Sequence, residues 1–203
     1  MLPGTKHSAL IVIDMQNGFC NKGGSCDRIG LPVERLAPAV EPCRRLVAAA
    51  RSAGVPIIFT RYVYRADFRD GGLLVEELMP ALREHNALVV GSEDAAIVPA
   101  LTPQPGDYVL DKNRPSSFYG TPLESWLKGL GTQELVVCGV TTNCCVETTV
   151  RDASQRDIRT FVVEDATAEF DEERHNVALR SMGMLFAHTT RVADVEKAWG
   201  TAS

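Results

Sequence analysis

Two adjacent cysteines, Cys144 and Cys145, lie in the stretch of the chain that is best suited to chemistry. The stretch covers residues 135–153 and reads LVVCGVTTNCCVETTVRDA. Its apolar start predicts a strand buried on both faces of a parallel sheet, and the run breaks at Gly139. Apolar residues then recur three or four apart, which places Cys145 in the first turn of a helix. Backbone amides and the helix dipole favour a thiolate there, so Cys145 is a candidate nucleophile.

The alternative for Cys145 is a small buried hydrophobic residue, and Cys144 is expected in the core. Two charged residues elsewhere strengthen the catalytic interpretation. Asp14 ends the apolar run ALIVID, and Lys112 ends DYVLDK. Taken alone, Asp14 is equally compatible with a helix cap, and Lys112 with an exposed lysine. Because carboxyl ends of parallel strands meet at one edge of a sheet, we expect a base, a cation and a nucleophile to converge there.

The elements that must position these residues alternate along the chain. We predict strands at 9–14, 55–60, 87–90, 107–112, 135–138, 160–164 and 184–189. We predict helices at 36–52, 73–82, 123–130, from about 143, and from 171 to 182, the last ended by Gly183. Strands and helices that alternate at this spacing indicate an α/β domain with a mainly parallel sheet. A chain of 203 residues suits a single domain over 1–203.

Composition narrows the class of protein. Hydrophobic residues make up 45% and charged residues 23%, and the formal net charge is -5. That charge argues against nucleic acid or an anionic membrane as a partner. No apolar run is long enough to span a bilayer and no signal peptide opens the chain, so we expect a cytoplasmic protein. The six cysteines and four histidines show no metal-binding spacing, so no metal is expected.

The loops that follow the strands supply candidate substrate contacts. In the segment RYVYRADFRD these are Arg61, Tyr62, Tyr64 and Arg65, for which a solvated loop is the alternative. The other candidates are Asn17, Phe19, Arg114, Phe118 and Tyr119, from the loops at 15–32 and 113–121. An arginine would bind a substrate carboxylate, and the aromatic residues would form apolar walls.

Three segments, IVIDMQNGF, DYVLDKNRPSSFYGTPLE and CGVTTNCCVETTVRDA, resemble the signature segments of the isochorismatase-like cysteine hydrolases. The resemblance extends over nearly the whole chain. It implies a three-layer α/β/α Rossmann-like fold with strand order 3-2-1-4-5-6, and Asp14, Lys112 and Cys145 as a catalytic triad. It also implies a cis peptide between Val140 and Thr141, with the amides of Thr141 and Cys145 as the oxyanion hole. The implied strand order leaves a gap that the side chain of Lys112 must bridge.

Within this superfamily the segments LTPQPGDYVLDK and VEDAT resemble the branch of ureidoacrylate amidohydrolase, N-carbamoylsarcosine amidase and biuret hydrolase. Nicotinamidases carry a metal-binding aspartate and two histidines after the second strand, where this chain has no histidine. True isochorismatases lack the nucleophilic cysteine. The resemblance therefore implies cleavage of an amide or ureido C–N bond in a small molecule, without a cofactor, by a homo-oligomer (dimer or tetramer).

Two alternatives stay open at this point. The same scaffold could hydrolyse a cyclic amide, a lactam. A protein from a different class could instead use Cys145, beside Cys144, for redox sensing or partner binding without amide turnover.

Overall fold

A six-stranded parallel sheet forms the centre of the computed structural model, which describes residues 1–200. The strands are β1 (Ser8–Ile13), β2 (Ile57–Tyr62), β3 (Tyr108–Lys112), β4 (Glu134–Val140), β5 (Arg159–Ala168) and β6 (His188–Thr190). Their order across the sheet is β3-β2-β1-β4-β5-β6, and each neighbouring pair is parallel. The predicted fold class and strand order are therefore confirmed.

Helices cover both faces of this sheet. They are α1 (Asn17–Cys20), α2 (Ser25–Arg28), α3 (Val40–Ala53), α4 (Ala81–Glu84), α5 (Leu123–Gly129), α6 (Glu147–Ser154), α7 (Glu172–Leu185) and α8 (Val192–Ala198). One core lies between the sheet and the α3 and α8 layer. The other core lies under α5, α6 and α7. The result is a three-layer α/β/α arrangement.

Successive side chains of the two central strands point alternately into the two cores. In β1, Leu10 and Val12 belong to the core under α3, whereas Ile11 and Ile13 belong to the opposite core. Every residue of β1 is buried, as expected for a parallel strand covered on both sides. A continuous apolar run in the sequence therefore marks a strand at the centre of the sheet.

Two predicted elements on the β2 side are wrong. The segment 87–90 is not an edge strand, because only a single bridge joins Tyr64 to Val89. The helix expected at 73–82 is instead a π-helical turn at Leu74–Leu78 followed by the short helix α4. Pro80 accounts for the break, since proline cannot donate the backbone hydrogen bond that a helix interior needs.

The chain after β5 also differs from the prediction. Helix α7 does not stop at Gly183 but continues to Leu185, so the last strand is shorter than 184–189. A Cβ atom at Gly183 would lie 3.1 Å from Cγ2 of Thr189. The glycine therefore allows close packing of α7 against β6. In the sequence alone, a glycine at this position looks like the end of a helix. Helix α8 was not predicted.

Candidate active site

Asp14 directly follows β1 and is completely buried. Its backbone has a φ of 51°, a left-handed conformation that aspartate tolerates better than most residues. The hydroxyl of Thr60 accepts a hydrogen bond from the Asp14 amide at 3.0 Å and donates one to Asp14 Oδ1 at 2.6 Å. Lys112 Nζ donates to the other oxygen, Oδ2, at 2.7 Å. Both carboxylate oxygens are thus held by protein groups, as a buried charge requires.

Lys112 ends β3, and its side chain crosses β2 to reach Asp14. In the sheet register Lys112 lies beside Tyr62, the last residue of β2. The ammonium group lies 4.3 Å from the centre of the Tyr62 ring and donates to the Arg114 carbonyl at 3.2 Å. The gap implied by the strand order is therefore bridged.

The charges around Lys112 determine its protonation. Burial alone would lower the pKa of its ammonium group, but the charges of Asp14 and Cys145 outweigh burial and raise that pKa. Lys112 is consequently a cation at neutral pH, in contact with the Asp14 carboxylate.

Cys145 lies in a π-helical turn, Thr142–Val146, that connects β4 to α6. The predicted strand, turn and helix are present, but the regular helix begins only at Glu147. The peptide bond between Val140 and Thr141, just before the turn, is cis. The Thr141 carbonyl accepts hydrogen bonds from the amides of Cys144 and Val146, each at 3.2 Å.

The surroundings of Cys145 do not favour a resting thiolate. The neighbouring Cys144 sulfur and burial raise the pKa of the Cys145 thiol well above 9.0, while Lys112 opposes this shift and Asp14 adds to it. The expectation that a helix terminus lowers this pKa is therefore wrong, because the hydrogen bond with Cys144 and the burial of the thiol outweigh the dipole. A thiol in this position needs a base before it can act as a nucleophile.

Gly139 allows β4 to approach β1 at this edge of the sheet. Its φ is 112°, and an added Cβ would lie 2.1 Å from the Ile13 carbonyl oxygen. The pairing of β4 with β5 also shifts register between Val137 and Gly139. Only glycine fits here, so the break in the apolar run that the sequence displays has a steric cause.

A cavity of about 230 Å³ opens beside Cys145. Its walls come from several segments, and most of its lining side chains are apolar or aromatic. The lining residues are Phe19, Cys26, Leu31, Tyr62, Tyr64, Leu74, Met79, Leu82, Leu88, Thr141, Asn143, Cys144, Cys145, Glu169, Phe170 and Arg174. Of the predicted substrate contacts, Phe19, Tyr62 and Tyr64 are therefore at the cavity.

The predicted arginines are not among the lining residues. Arg61 forms a bidentate ion pair with Asp111, its neighbour in the β2–β3 register, at 2.7 and 2.8 Å. Arg65 is exposed and pairs with Asp67 at 3.0 Å. Arg114 donates to the Asp70 carbonyl at 2.7 Å. These guanidinium groups stabilise loops and strand edges outside the cavity.

Three other predicted contacts also lie outside the cavity lining. Asn17 is buried, and its side-chain nitrogen donates to the Glu93 carbonyl and carboxylate, each at 2.9 Å. Phe118 is buried in the core, with Arg156 stacked 4.6 Å from its ring centre. Tyr119 is 68% exposed.

The charged residues at the cavity are Glu169 and Arg174, neither of which was predicted from the sequence. Glu169 directly follows β5, so the same strand-end argument that found Asp14 applies to it. Its buried carboxylate accepts hydrogen bonds from the amides of Asn143 and Phe170, at 3.1 and 2.9 Å. Arg174 in the first turn of α7 lies 3.6 Å from the same carboxylate. This pair forms a polar wall on the β5 side.

Among residues 1–200, no cluster of three or more His, Cys, Asp or Glu side chains is arranged to hold a metal ion. Within the same range, no helix combines the length and the apolar character needed to cross a bilayer.

A six-stranded parallel sheet that gathers a carboxylate, a lysine and a cysteine beside a small cavity defines a hydrolase-like α/β protein. The isochorismatase domain model matches residues 8–194. The chain therefore belongs to the isochorismatase family, and the resemblance seen in the sequence is confirmed.

Relatives within this family carry amidohydrolase names. A ureidoacrylate amidohydrolase, RutB, from Methylorubrum extorquens is 38% identical over 204 residues, covering 94% of this chain and 82% of the relative. A cysteine hydrolase structure from Pseudomonas syringae pv. phaseolicola has a TM-score of 0.90 and 30% identity, covering 100% of this chain and 97% of the other. An N-carbamoylsarcosine amidase structure from Thermoplasma acidophilum has a TM-score of 0.74 and 27% identity, with coverages of 93% and 98%.

Proposed function

We propose that this protein is a cysteine-dependent amidohydrolase that cleaves the C–N bond of a small amide or of a ureido or carbamoyl compound. The observation that carries the proposal is the buried Asp14–Lys112 pair, 2.7 Å apart, next to a cysteine on the wall of an apolar cavity. The named relatives act on ureidoacrylate and N-carbamoylsarcosine. Both names describe compounds in which a carbonyl carbon is bonded to nitrogen, and this is the bond that the site is suited to break.

The first half of the reaction forms a thioester. Asp14 takes the proton of the Cys145 thiol, and the sulfur attacks the carbonyl carbon of the substrate. The carbonyl oxygen becomes negative in the tetrahedral intermediate, where the backbone amides of Thr141 and Cys145 donate hydrogen bonds to it. The intermediate collapses, the C–N bond breaks, and Asp14 returns its proton to the leaving nitrogen.

The second half releases the acyl group. Asp14, again a carboxylate, takes a proton from a water molecule, and the resulting hydroxide attacks the thioester carbon. The C–S bond breaks, the acid product leaves, and the proton on Asp14 returns to the Cys145 sulfur. The enzyme ends in the protonation state in which it began.

Lys112 has an electrostatic role in this scheme. Its ammonium group is bonded to Asp14 and lowers the pKa of Cys145 relative to burial alone. A fixed cation between two groups that carry negative charge in turn reduces their repulsion during proton transfer. Because Lys112 is buried and charged, this stabilisation requires no rearrangement during the reaction.

The test is ammonia release from ureidoacrylate, N-carbamoylsarcosine, biuret and nicotinamide, and formation of the ring-opened amino acid from a lactam, with and without a chelator. We expect turnover of a ureido compound that is lost in Cys145→Ala and in Asp14→Asn. Cys144→Ser is the matched control, since it changes the adjacent sulfur on the same cavity wall, and we expect it to keep activity within about tenfold.

Three outcomes would contradict the proposal. Activity that persists in Cys145→Ala would exclude the cysteine as nucleophile. Thiol oxidation without any amide turnover would instead favour the redox or binding alternative, and preferred turnover of the lactam would favour the cyclic-amide alternative.

The homo-oligomeric state and the cytoplasmic location stay predictions. Light scattering coupled to size-exclusion chromatography tests the first, and cell fractionation tests the second.

A further inference from the structure

Among residues 1–200, Arg174 is the one positively charged residue that lines the active-site cavity. Lys112, the cation of the candidate triad, is buried against Asp14 and does not belong to the lining. Apart from Glu169, the other lining residues carry no formal charge, and most of them are apolar or aromatic. A negatively charged group of a substrate in this cavity therefore has its counter-ion in Arg174, because no apolar wall can replace the water that such a group loses.

Glu169, the ion-pair partner of Arg174, is held mainly by backbone groups. Its carboxylate accepts hydrogen bonds from the amides of Asn143 and Phe170, at 3.1 and 2.9 Å, and its side chain is only 2% exposed. The guanidinium lies 3.6 Å from this carboxylate, which is longer than a hydrogen bond, and the side chain of Arg174 is 53% exposed. The carboxylate is therefore enclosed, whereas the guanidinium is accessible to a ligand.

The guanidinium of Arg174 also keeps its hydrogen-bond donors free. Within the described residues it donates no hydrogen bond, and the contact with Glu169 is its one ion pair. The arginines that were predicted as substrate contacts, Arg61, Arg65 and Arg114, each donate to a protein oxygen instead. Because a guanidinium presents its N–H donors in a planar fork that matches both oxygens of a carboxylate, Arg174 is suited to bind one.

Two hydrogen bonds tie this cation to the turn that carries the candidate nucleophile. Glu169 accepts one from the amide of Asn143, which lies in that turn. The second joins Nδ1 of His175, the residue after Arg174, to the hydroxyl of Thr142 at 2.8 Å. The guanidinium is therefore held in place relative to the turn, and a substrate anchored to it is also positioned relative to the nucleophile.

We infer that Arg174 binds a carboxylate of the substrate and so makes the enzyme specific for ureido or carbamoyl compounds that carry one. This inference rests on the proposed amidohydrolase function and names its substrate class. With the carboxylate at Arg174, the carbon chain contacts the apolar walls and the ureido carbonyl faces Cys145. Uncharged compounds such as biuret and nicotinamide lack the anchoring group and are poor substrates.

The test compares ureidoacrylate and N-carbamoylsarcosine with analogues in which a hydroxymethyl group replaces the carboxylate. Both members of each pair keep the ureido group, and ammonia release measures both. For at least one pair, we expect the parent to hydrolyse the carboxylate with a kcat/KM about thirtyfold above that of the alcohol, the usual effect of charge-assisted hydrogen bonds. In Arg174→Gln, the carboxylate should lose about thirtyfold in kcat/KM, while the alcohol should change by less than about threefold.

Two further variants and one binding measurement sharpen this comparison. Arg174→Lys keeps the charge but not the fork, so it should lose about tenfold on the carboxylate. Arg65→Gln is the matched control, since Arg65 is also exposed and paired with a carboxylate, that of Asp67, but lies outside the cavity. It should leave both substrates unchanged. In the Cys145→Ser background, Arg174→Gln should raise the Kd of the carboxylate about thirtyfold.

Several results would overturn the inference while the amidohydrolase function stood. If Arg174→Gln lost equal activity on the carboxylate and on the alcohol, Arg174 would act only by supporting Glu169 and the turn. An unchanged Kd, or preferred hydrolysis of biuret, nicotinamide or the lactam by the parent, would also contradict it. Turnover of the alcohol by Arg174→Gln shows that this variant is folded. A parent that hydrolyses no amide at all would overturn the proposed function itself, and the inference with it.

Discussion

Lys112 Nζ lies 2.7 Å from Asp14 Oδ2, and both side chains are completely excluded from solvent. The two residues are 98 positions apart in sequence and belong to strands that are not neighbours in the sheet. A buried pair of this kind is seldom a net gain in stability, because both charges lose their hydration. Its presence at the edge of the sheet that carries Cys145 supports the proposed catalytic role of the pair.

The first prediction follows from that pair. Lys112→Met and Asp14→Asn should each lower the free energy of unfolding by about 3–5 kcal/mol, because each leaves one buried charge without its partner. The double variant should be destabilised by much less than the sum of the two. Urea unfolding of all four proteins gives the coupling energy directly. Additive effects would contradict the pairing, and the double variant should in any case be inactive.

The second prediction concerns Thr60, which contacts Asp14 through two hydrogen bonds. Thr60→Val keeps the shape of the side chain but leaves both the Asp14 amide and one carboxylate oxygen without this partner. We expect a loss of about 1–3 kcal/mol in stability and a fall in kcat of about tenfold or more. Thr160→Val is the control, since Thr160 is also buried but its hydroxyl bonds only the backbone carbonyl of Ile158, just before β5. Equal effects on kcat at both sites would argue against a positioning role for Thr60.

Asp14, Lys112 and Cys145, the centre of the candidate site, could be predicted from where apolar strands end in the sequence. Asp14 and Lys112 each end or follow an apolar run, and apolar runs are local features that reveal strands in parallel sheets. Cys145 follows such a run after one tight turn. Glu169 could have been predicted in the same way, because it directly follows β5, whose end at Ala168 lies beyond the predicted strand at 160–164.

The arginines could not be placed in the same way. Arg61 and Tyr62 are adjacent in β2, so their side chains point to opposite faces of the sheet. Only the register with β3, which pairs Arg61 with Asp111, shows which of the two turns away from the cavity. Register depends on contacts between distant segments, and a loop such as the one with Arg65 and Asp67 has no periodicity at all. The role of Gly183 could not be predicted either, because it depends on how closely Gly183 packs against Thr189.

The third prediction concerns pH. The Cys144 sulfur and burial raise the pKa of Cys145 above 9.0 in the folded protein, so the unfolded chain loses this proton first as pH rises. The contribution of Cys145 to stability is therefore complete below that value and is lost as pH rises towards the folded pKa. The free energy of unfolding of the parent should fall more steeply than that of Cys145→Ala between about pH 8 and pH 10. The free energies of unfolding are measured by urea unfolding at each pH. If those of the parent and of Cys145→Ala change with pH in parallel, folding does not raise the pKa of the Cys145 thiol.

The last prediction tests the close approach of β4 to β1 at Gly139. In Gly139→Ala the new Cβ would overlap the Ile13 carbonyl, 2.1 Å away, in a backbone conformation with a φ of 112°. The strands must separate just where Asp14 and the turn of Cys145 begin. We expect a loss of more than about 3 kcal/mol, measured by urea unfolding, or failure to fold. Gly131→Ala is the matched control: it also has a positive φ, of 66°, but the nearest atom, on His7, is 3.8 Å away. Because only the conformational strain remains there, we expect a loss of about 1 kcal/mol. Similar losses at the two positions would mean that β4 and β1 can part at little cost, and that the contact at Gly139 does not hold Asp14 and Cys145 in place.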